Sequence, residues 1–307
     1  MWLVVGLAAA IVALLLWAAG LSVRFSVTSQ LALWASTAML CLFYRPPDGA
    51  WQQKLVDTFE YLTLLSLIGT IGAVGSYAIA ALTSGYADDL LAGADRALGF
   101  DWVGLYAFTS TNPWIAQIGG VSYGSIFTCP AILAFALGWT GRRAHARRFI
   151  FAFGATLALT LLIFALVPAR AALGYYMGSN PAYMPQSGIG HVEIIESLRA
   201  GTLTLVDQAS LAGLIAFPSF HAASAFLFIW AAWPIRWLRG PMLVLNLMML
   251  AATPIEGGHY FVDVLGGAVV AASGVWVLRF VSPKAARALS PSAGERGGEP
   301  SGDLAVV

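Results

Sequence analysis

The sequence predicts an all-α fold, a polytopic membrane bundle of about eight transmembrane helices. Of the 307 residues, 59% are hydrophobic and 10% are charged, and the mean hydropathy is +0.78. A soluble domain has about 25% charged residues. The apolar residues also fall in runs close to the roughly 20 residues that a helix needs to cross a bilayer. The net charge of +1 gives no reason to expect nucleic acid as a partner.

Eight apolar segments are predicted to span the membrane. The first lacks the basic start of a signal peptide, and its apolar run is long for one, so we expect it to be retained. The second and seventh are close to the shortest spanning length, and the seventh is the weakest prediction because it contains Gly240, Pro241 and Asn246. The segments are Met1–Leu21, Thr28–Tyr44, Thr58–Thr83, Trp114–Trp139, Phe149–Val167, Ser219–Trp237, Leu238–Ile255 and His259–Val281.

The distribution of basic residues predicts the orientation of these spans. In an eight-span arrangement the basic clusters all fall on one side, which the positive-inside rule assigns to the cytoplasm. Both termini are then cytoplasmic, and we expect a multi-pass protein of the plasma (inner) membrane. The opposite, outer face receives residues 168–217, the turn Pro254–Gly258 and an acidic loop with a short interfacial helix at Leu90–Leu98. The acidic residues of that loop are Asp88, Asp89, Asp95 and Asp101, and the basic residues are Arg45, Lys54, Arg142, Arg143, Arg147, Arg148, Arg236, Arg239, Lys284 and Arg287.

Three regions are expected along the chain. Residues 1–100 form an N-terminal transmembrane extension with an outer interfacial segment, and residues 101–281 form the membrane core. Residues 282–307 are rich in Ser, Gly, Pro and charge, which is typical of a disordered tail. We expect this tail to be cytoplasmic.

Two short motifs place ionisable groups at the starts of apolar segments. The first, FPSFH at Phe217–His221, opens the sixth segment. Pro218 suits the first position of a helix, where its missing N–H costs nothing, so Ser219 and His221 are expected in the first turn. The free N–H groups and the dipole of that turn attract an anion such as phosphate.

The second motif, HYFVD at His259–Asp263, opens the eighth segment after a flexible Gly-Gly pair. His259 and Asp263 are four residues apart, and an i,i+4 pair shares one face of a helix. Asp263 can then hydrogen-bond one imidazole nitrogen, which fixes the tautomer and raises the basicity of the other nitrogen. A histidine held in this way is a competent nucleophile toward phosphorus. Both motifs open at the outer face, so His221 can converge on the pair.

Other interpretations of these residues stay open. A lone histidine at a helix end is more often a capping or interfacial residue, and an isolated His-Asp pair is more often a structural hydrogen bond. Two histidines and one carboxylate can also form a metal site of the facial-triad type. Ionisable side chains near hydrocarbon mark functional sites by default, and these three share one predicted membrane face, which favours catalysis.

The two motifs resemble those of the type 2 phosphatidic acid phosphatase superfamily. Its second motif reads Pro-Ser-x-His, which Pro218 to His221 match, and its third ends in His-x-x-x-Asp, which His259 and Asp263 match. The resemblance covers Trp114–Val281 and implies a six-helix phosphatase-like or phosphotransferase-like core. It also implies that His259, oriented by Asp263, forms a phosphohistidine while His221 acts as acid and base. No metal or other cofactor is required by that mechanism.

Two departures from the family pattern bear on phosphate binding. The third motif usually has an Arg six residues before the His, where this chain has Thr253, and the first motif, Lys-x₆-Arg-Pro, is not present as such. The motifs are similar to those of the inositol phosphorylceramide synthase branch, which also tolerates a non-Arg residue at that position. We therefore expect Arg170 and Arg199 to hold phosphate through paired hydrogen bonds, with Ser219 adding a hydroxyl or a backbone N–H. A solvated loop arginine or a lipid headgroup contact is the alternative for each arginine.

The expected function is thus phosphoryl chemistry on a lipid, in which water or an alcohol accepts the phosphoryl group. The expected partners are a lipid phosphate or phospholipid substrate and the bilayer itself. A transporter or lipid scramblase is the alternative class, because Gly-rich breaks also occur in transporters. We expect a solvated loop at His191, Glu193 and Glu196, and interfacial aromatic residues at Trp114, Tyr175, Tyr176 and Tyr183.

Overall fold

The described part of the chain is almost entirely helical, as the sequence predicts. A computed structural model describes residues 1–26 and 49–280. The expected second span, Thr28–Tyr44, and the expected tail at residues 282–307 lie outside these ranges. The elements are α1 (Trp2–Ala18), β1 (Ser22–Arg24), α2 (Ala50–Leu82), α3 (Asp88–Ala97), α4 (Trp102–Thr111), α5 (Pro113–Gly124), α6 (Cys129–Trp139), α7 (Arg143–Leu166), α8 (Ala171–Met177), α9 (Gly190–Arg199), β2 (Leu205–Asp207), α10 (Phe220–Ala232), α11 (Arg236–Glu256) and α12 (Phe261–Val277).

Several helical segments are long and apolar enough to cross a membrane. Among the described residues these are Trp51–Leu82, Arg143–Met177 and Arg236–Glu256, and a fourth exists if α5 and α6 count as one span. The α5 and α6 helices meet at a bend of 51°. Pro130 accounts for this break, because proline lacks an N–H and its ring clashes with the carbonyl one turn earlier.

The other apolar helices are shorter than the sequence predicts. The α1, α10 and α12 helices contain 17, 13 and 17 residues, and at 1.5 Å per residue 17 residues extend about 25 Å. The α10 helix stops at Ala232 because Pro234 follows within two residues. Eight full-length spans and a six-helix core are therefore not confirmed in the described ranges, whereas the segment that was the weakest prediction, α11, is long enough to span.

Basic residues and the two histidine motifs lie at opposite ends of the bundle. At the first end, Arg143 of α7 pairs with Asp57 of α2 at 2.6 Å, and His145 Nε2 donates to the Ala231 carbonyl of α10 at 3.1 Å. At the second end, the Leu173 N–H of α8 donates to the Gly258 carbonyl at 3.2 Å. We call these the basic end and the histidine end. Three of the basic residues, Arg45, Lys284 and Arg287, lie outside the described ranges.

A small parallel sheet ties the N-terminal helix to the histidine end. Its two strands pair in the register Ser22 with Leu205, Val23 with Val206 and Arg24 with Asp207. Val206 is buried, in a cluster with residues of α2, α7 and α9. The strands were not predicted, because three residues are too few to show an alternating apolar pattern.

Close packing of α10 against α12 brings the two histidine motifs together. A Cβ atom at Gly267 of α12 would lie 2.5 Å from the Ser219 carbonyl oxygen and 2.9 Å from the Ala222 Cβ atom. The Ser219 N–H also donates to the Asp263 carbonyl at 3.0 Å. Glycine at position 267 thus lets the starts of the two helices approach closely enough to share hydrogen bonds.

We predict that Gly267→Ala destabilises the protein and lowers its activity. The added methyl group has to displace α10 backbone, and overpacking of this kind costs about 1–3 kcal/mol. Thermal unfolding in detergent should show a lower midpoint for this variant than for the unmodified protein.

The control for this substitution is Gly240→Ala in α11. A Cβ atom at Gly240 meets no atom within 4 Å, and alanine is favoured over glycine inside a helix by about 0.5–1 kcal/mol. Gly240→Ala should therefore unfold at the same temperature or a higher one. Equal midpoints for the two variants would contradict the packing argument.

Candidate active site

His259 and Asp263 form a buried hydrogen-bonded pair. His259 Nδ1 lies 3.1 Å from Asp263 Oδ2, and the two side chains are 5% and 0% exposed. The prediction that His259 and Asp263 share one face of a helix is wrong, because α12 begins at Phe261 and His259 precedes it. Asp263 instead reaches back from the first turn, as in a capping box, and Oδ2 also accepts the Tyr260 N–H at 2.9 Å. The His259 Nδ1–H donates to the carboxylate, which leaves the Nε2 lone pair available.

His221 lies in the first turn of α10, but Pro218 is not the first helical residue. The helix begins at Phe220, and Ser219 is the N-cap, whose hydroxyl oxygen accepts the Ala222 N–H at 3.3 Å. Because the Ser219 N–H already donates to the Asp263 carbonyl, only the hydroxyl of Ser219 is left for a ligand. The N–H groups of Phe220 and His221 stand at the start of the helix, where no helical carbonyl accepts them.

Tyr123 of α5 joins the two histidines. Its ring stacks on His221 with the ring centroids 3.8 Å apart and the planes inclined by 12°. The Tyr123 hydroxyl and the His259 ring both approach Gly257. A Cβ atom added at Gly257 would lie 2.8 Å from the Tyr123 hydroxyl oxygen and 2.5 Å from the His259 Cδ2 atom. The three side chains therefore surround the turn that precedes His259, and sequence reasoning missed Tyr123.

Hydrogen bonds and close contacts hold the turn before His259. Gly258 has φ +64°, a conformation that glycine adopts without strain. The buried Trp102 indole donates to the Pro254 carbonyl at 3.1 Å and to the His259 carbonyl at 3.0 Å. These bonds hold the backbone of His259 on both sides of the turn.

Two aspartates of α3 support the same region from a distant part of the sequence. Asp95 is 1% exposed and accepts the Phe261 and Val262 N–H groups, each at 2.8 Å, and so caps α12. Burial raises the pKa of Asp95, and these two N–H groups oppose that rise. Asp88 accepts the Tyr260 hydroxyl at 2.9 Å and the Arg170 N–H. The short helix predicted at Leu90–Leu98 is thus present as α3, and its Asp88 and Asp95 bind Tyr260 and the start of α12. Its place at the membrane interface stays a prediction.

The side chains of Arg170 and Arg199 both lie on the ring of Tyr86, and no described contact joins either side chain to His221 or His259. Each guanidinium carbon lies 4.5 Å from the centroid of the Tyr86 ring. Arg199 also donates to the Ala80 carbonyl and the Thr83 hydroxyl. Within the described ranges neither arginine forms an ion pair with a carboxylate.

Several loop residues are more buried than the sequence predicts. His191 is 6% exposed rather than solvated, and its Nε2–H donates to the Arg170 carbonyl at 2.7 Å. Burial lowers the pKa of His191, and this hydrogen bond opposes the change. Glu193 and Glu196 are exposed, as expected, but these two residues and His191 lie in helix α9 and not in a loop. Tyr183 is half-buried and does not lie free at an interface, since its hydroxyl bonds to Glu256.

An apolar cavity lies beside the turn that carries His259. It has a volume of about 330 Å³ and is lined by α4, α5 and α11, including Phe108, Ile118 and Met248, with Glu256 at one side. Glu256 is buried and accepts the Tyr183 hydroxyl at 2.7 Å and the Gln186 N–H at 3.1 Å. The cavity is thus lined by Glu256, the residue directly before Gly257 and Gly258.

The arrangement of potential metal ligands and the use of the Asp263 carboxylate are both defined for the described residues. Across residues 1–26 and 49–280, no group of three His, Cys, Asp or Glu side chains has the geometry of a metal site. Asp263 Oδ2 accepts the His259 and Tyr260 N–H groups, whereas Asp263 Oδ1 is buried without a hydrogen-bond partner among these residues.

Comparison with known proteins assigns the chain to a family. Residues 89–277, more than half of the chain, match the PAP2 superfamily. No curated protein and no solved structure matches it. The match and the long apolar helices define a membrane-associated protein with phosphatase-type chemistry on a phosphate-bearing substrate. The chain belongs to the PAP2 superfamily.

We predict that Asp95→Ala destabilises the start of α12 and lowers activity. The substitution leaves the Phe261 and Val262 N–H groups buried without acceptors, which costs about 1–3 kcal/mol for each unsatisfied group. Thermal unfolding in detergent and phosphate release from a panel of phosphate-bearing substrates are the measurements.

Asp89→Ala on the same helix is the matched control. Asp89 is exposed and accepts only the hydroxyl of the exposed Tyr175. This variant should keep the unfolding midpoint and the activity of the unmodified protein. If Asp95→Ala behaves like Asp89→Ala, Asp95 does not support the site.

Proposed function

We propose that the protein is a lipid-phosphate phosphatase or phospho-headgroup transferase that works through a phosphohistidine intermediate. The observation that carries this proposal is the buried His259–Asp263 pair with His221 next to it across Tyr123. A nucleophile, a residue that orients it and an acid-base group are the parts that covalent phosphoryl transfer needs.

In the first step, the Nε2 lone pair of His259 attacks phosphorus and an N–P bond forms. The P–O bond to the leaving group breaks, and the leaving oxygen takes a proton from His221. Asp263 stabilises the imidazolium character that develops on His259, because its carboxylate accepts the Nδ1–H throughout. Bound phosphate carries negative charge, which stabilises the protonated form of His221 beforehand.

In the second step, His221 removes a proton from water or from an acceptor alcohol. The oxygen attacks phosphorus, the N–P bond breaks and its electron pair returns to His259. Water gives inorganic phosphate and makes the protein a phosphatase, whereas an alcohol gives a new phosphodiester and makes it a transferase. The resemblance of the motifs to the inositol phosphorylceramide synthase branch favours transfer.

Phosphate charge is balanced in this proposal by Arg170 and Arg199, with the Ser219 hydroxyl as a further donor. Support comes from the two guanidinium groups that lie at the histidine end without carboxylate partners among the described residues. A guanidinium binds phosphate through two parallel hydrogen bonds. The apolar cavity beside Glu256 supports a lipid substrate, since it offers an acyl or isoprenoid chain a place near the reacting phosphate.

The site faces the outside of the plasma membrane in our proposal, and both termini are cytoplasmic. The separation of a basic end from a histidine end supports this orientation, because loops rich in Lys and Arg stay on the cytoplasmic side.

We predict that His259→Ala abolishes phosphate release and headgroup exchange on a panel of lipid phosphates in detergent. Loss of a covalent nucleophile reduces turnover by about 10³-fold or more. His145→Ala at the basic end is the matched control and should keep most of the activity. The panel is run with and without a chelator, and loss of activity on chelation would contradict the metal-free mechanism.

The intermediate can be trapped in His221→Ala with an aryl phosphate. A good leaving group needs little protonation, so His259 is phosphorylated while its hydrolysis is slow for lack of a base. An acid-labile, base-stable phosphoprotein should accumulate in His221→Ala and be missing from the double variant with His259→Ala. If no substrate on the panel is turned over by the unmodified protein, the transporter or scramblase alternative is favoured instead.

We predict that Arg170→Ala and Arg199→Ala each raise KM by about 10-fold, because each removes a charge-assisted bond to phosphate. The lysine variants should recover part of the loss, since they keep the charge but not the paired geometry. Arg239→Ala at the basic end serves as the control. Unchanged KM values in both alanine variants would contradict the proposed clamp.

A further inference from the structure

Tyr123 occupies a position in the site that the phosphohistidine mechanism leaves without a role. It lies near the end of α5 and is 6% exposed. Its ring lies flat against His221 at 3.8 Å. A side chain in this position fixes the plane of the His221 imidazole, because the stacked ring blocks rotation on one face.

The hydroxyl of Tyr123 has no hydrogen-bond partner in residues 1–26 and 49–280. The hydroxyl oxygen is not among the fully buried atoms that lack a partner in these residues, so it keeps some exposed surface that a ligand can reach. Two other tyrosine hydroxyls of this region do have partners, since Tyr106 donates to the Tyr183 carbonyl and Tyr260 donates to Asp88. The Tyr123 hydroxyl is therefore a free donor, and it lies at Gly257 beside the His259 ring.

The turn before His259 supplies no side-chain donor of its own. The Thr253 hydroxyl is buried and donates to the Met249 carbonyl at 2.7 Å. Gly257 and Gly258 have no side chains, and the Trp102 indole is committed to two carbonyls. Tyr123 is thus an uncharged donor beside the two imidazoles, in addition to the Ser219 hydroxyl.

We propose that Tyr123 donates a hydrogen bond to a nonbridging oxygen of the phosphoryl group as it transfers to and from His259. The phenol keeps its proton in both steps, and no bond to it forms or breaks. The hydrogen bond strengthens as negative charge shifts within the transferring group, which lowers the barrier. This inference rests on the proposed function, because it assigns a further substrate contact in the same site.

The test compares Tyr123→Phe with the unmodified protein, on whichever substrate of the panel is turned over. Phenylalanine keeps the ring stacked on His221 and removes only the hydroxyl. We expect kcat to fall by about 10- to 100-fold, near the lower range for loss of one oxyanion donor, with little change in KM. Orthovanadate, whose trigonal-bipyramidal adduct imitates the transferring phosphoryl group, should inhibit Tyr123→Phe less strongly by a similar factor.

Tyr61→Phe is the matched control. Tyr61 is 2% exposed and lies in α2 toward the basic end, near Arg143 and Arg147. This variant loses a buried tyrosine hydroxyl away from the histidines, so its kcat and its inhibition by vanadate should stay unchanged. Equal losses in both phenylalanine variants would show that a general packing effect, and not a substrate contact, reduces turnover.

The outcomes separate this inference from the proposed function. If His259→Ala is inactive while Tyr123→Phe keeps unmodified kcat and vanadate inhibition, the contact is wrong and the proposed function stands. If His259→Ala keeps unmodified turnover, the proposed function fails and the inference fails with it. Should Tyr123→Phe not fold, Tyr123→Met fills the same space without a donor and should show the same selective loss of kcat and of vanadate inhibition.

Discussion

The buried carboxylate of Asp263 is the constraint on which the rest of the site depends. One of its oxygens accepts both the His259 Nδ1–H and the Tyr260 N–H, while its backbone carbonyl accepts the Ser219 N–H of α10. A single residue therefore sets the tautomer of one histidine, the start of α12 and the approach of the helix that carries the other histidine. Burial strengthens these bonds, because little water competes for them.

The polar network around Asp263 reaches far beyond the two motifs. Asp95 caps α12 from α3, Asp88 links Tyr260 to Arg170, and the Arg170 carbonyl in turn accepts from His191. The side chains of Asp88, Asp95, Tyr260 and His191 are buried, so the loss of one partner leaves another group unsatisfied. The chemistry of His259 thus rests on residues of α3, which joins α12 through bonds that span 166 and 172 positions of the chain.

The sequence predicted well the features that depend on local spacing and composition. The helical class comes from hydropathy, and the His259–Asp263 bond comes from the four-residue interval, although the histidine lies before the helix and not within it. The features that were missed depend on tertiary packing. The local sequence around Asp88, Asp95 and Tyr123 does not show that their side chains are buried at the site, whereas a neighbour such as Asp89 is exposed. His191 has the composition of a solvated loop around it, yet it is buried and bonds to the Arg170 carbonyl, a distant part of the chain.

The pairing of β1 with β2 has a consequence for the order in which the protein assembles. The hydrogen bond between Ser22 and Thr204 joins residues 182 positions apart. When such a chain is synthesised from its N-terminus, α1 and β1 are made long before β2, the strand with which β1 pairs. The first helix can lie against α2 early, yet its far end is fixed only after residues 205–207 emerge. The pairing of β1 with β2 thus forms late in biogenesis, just before α10 and α12 are synthesised.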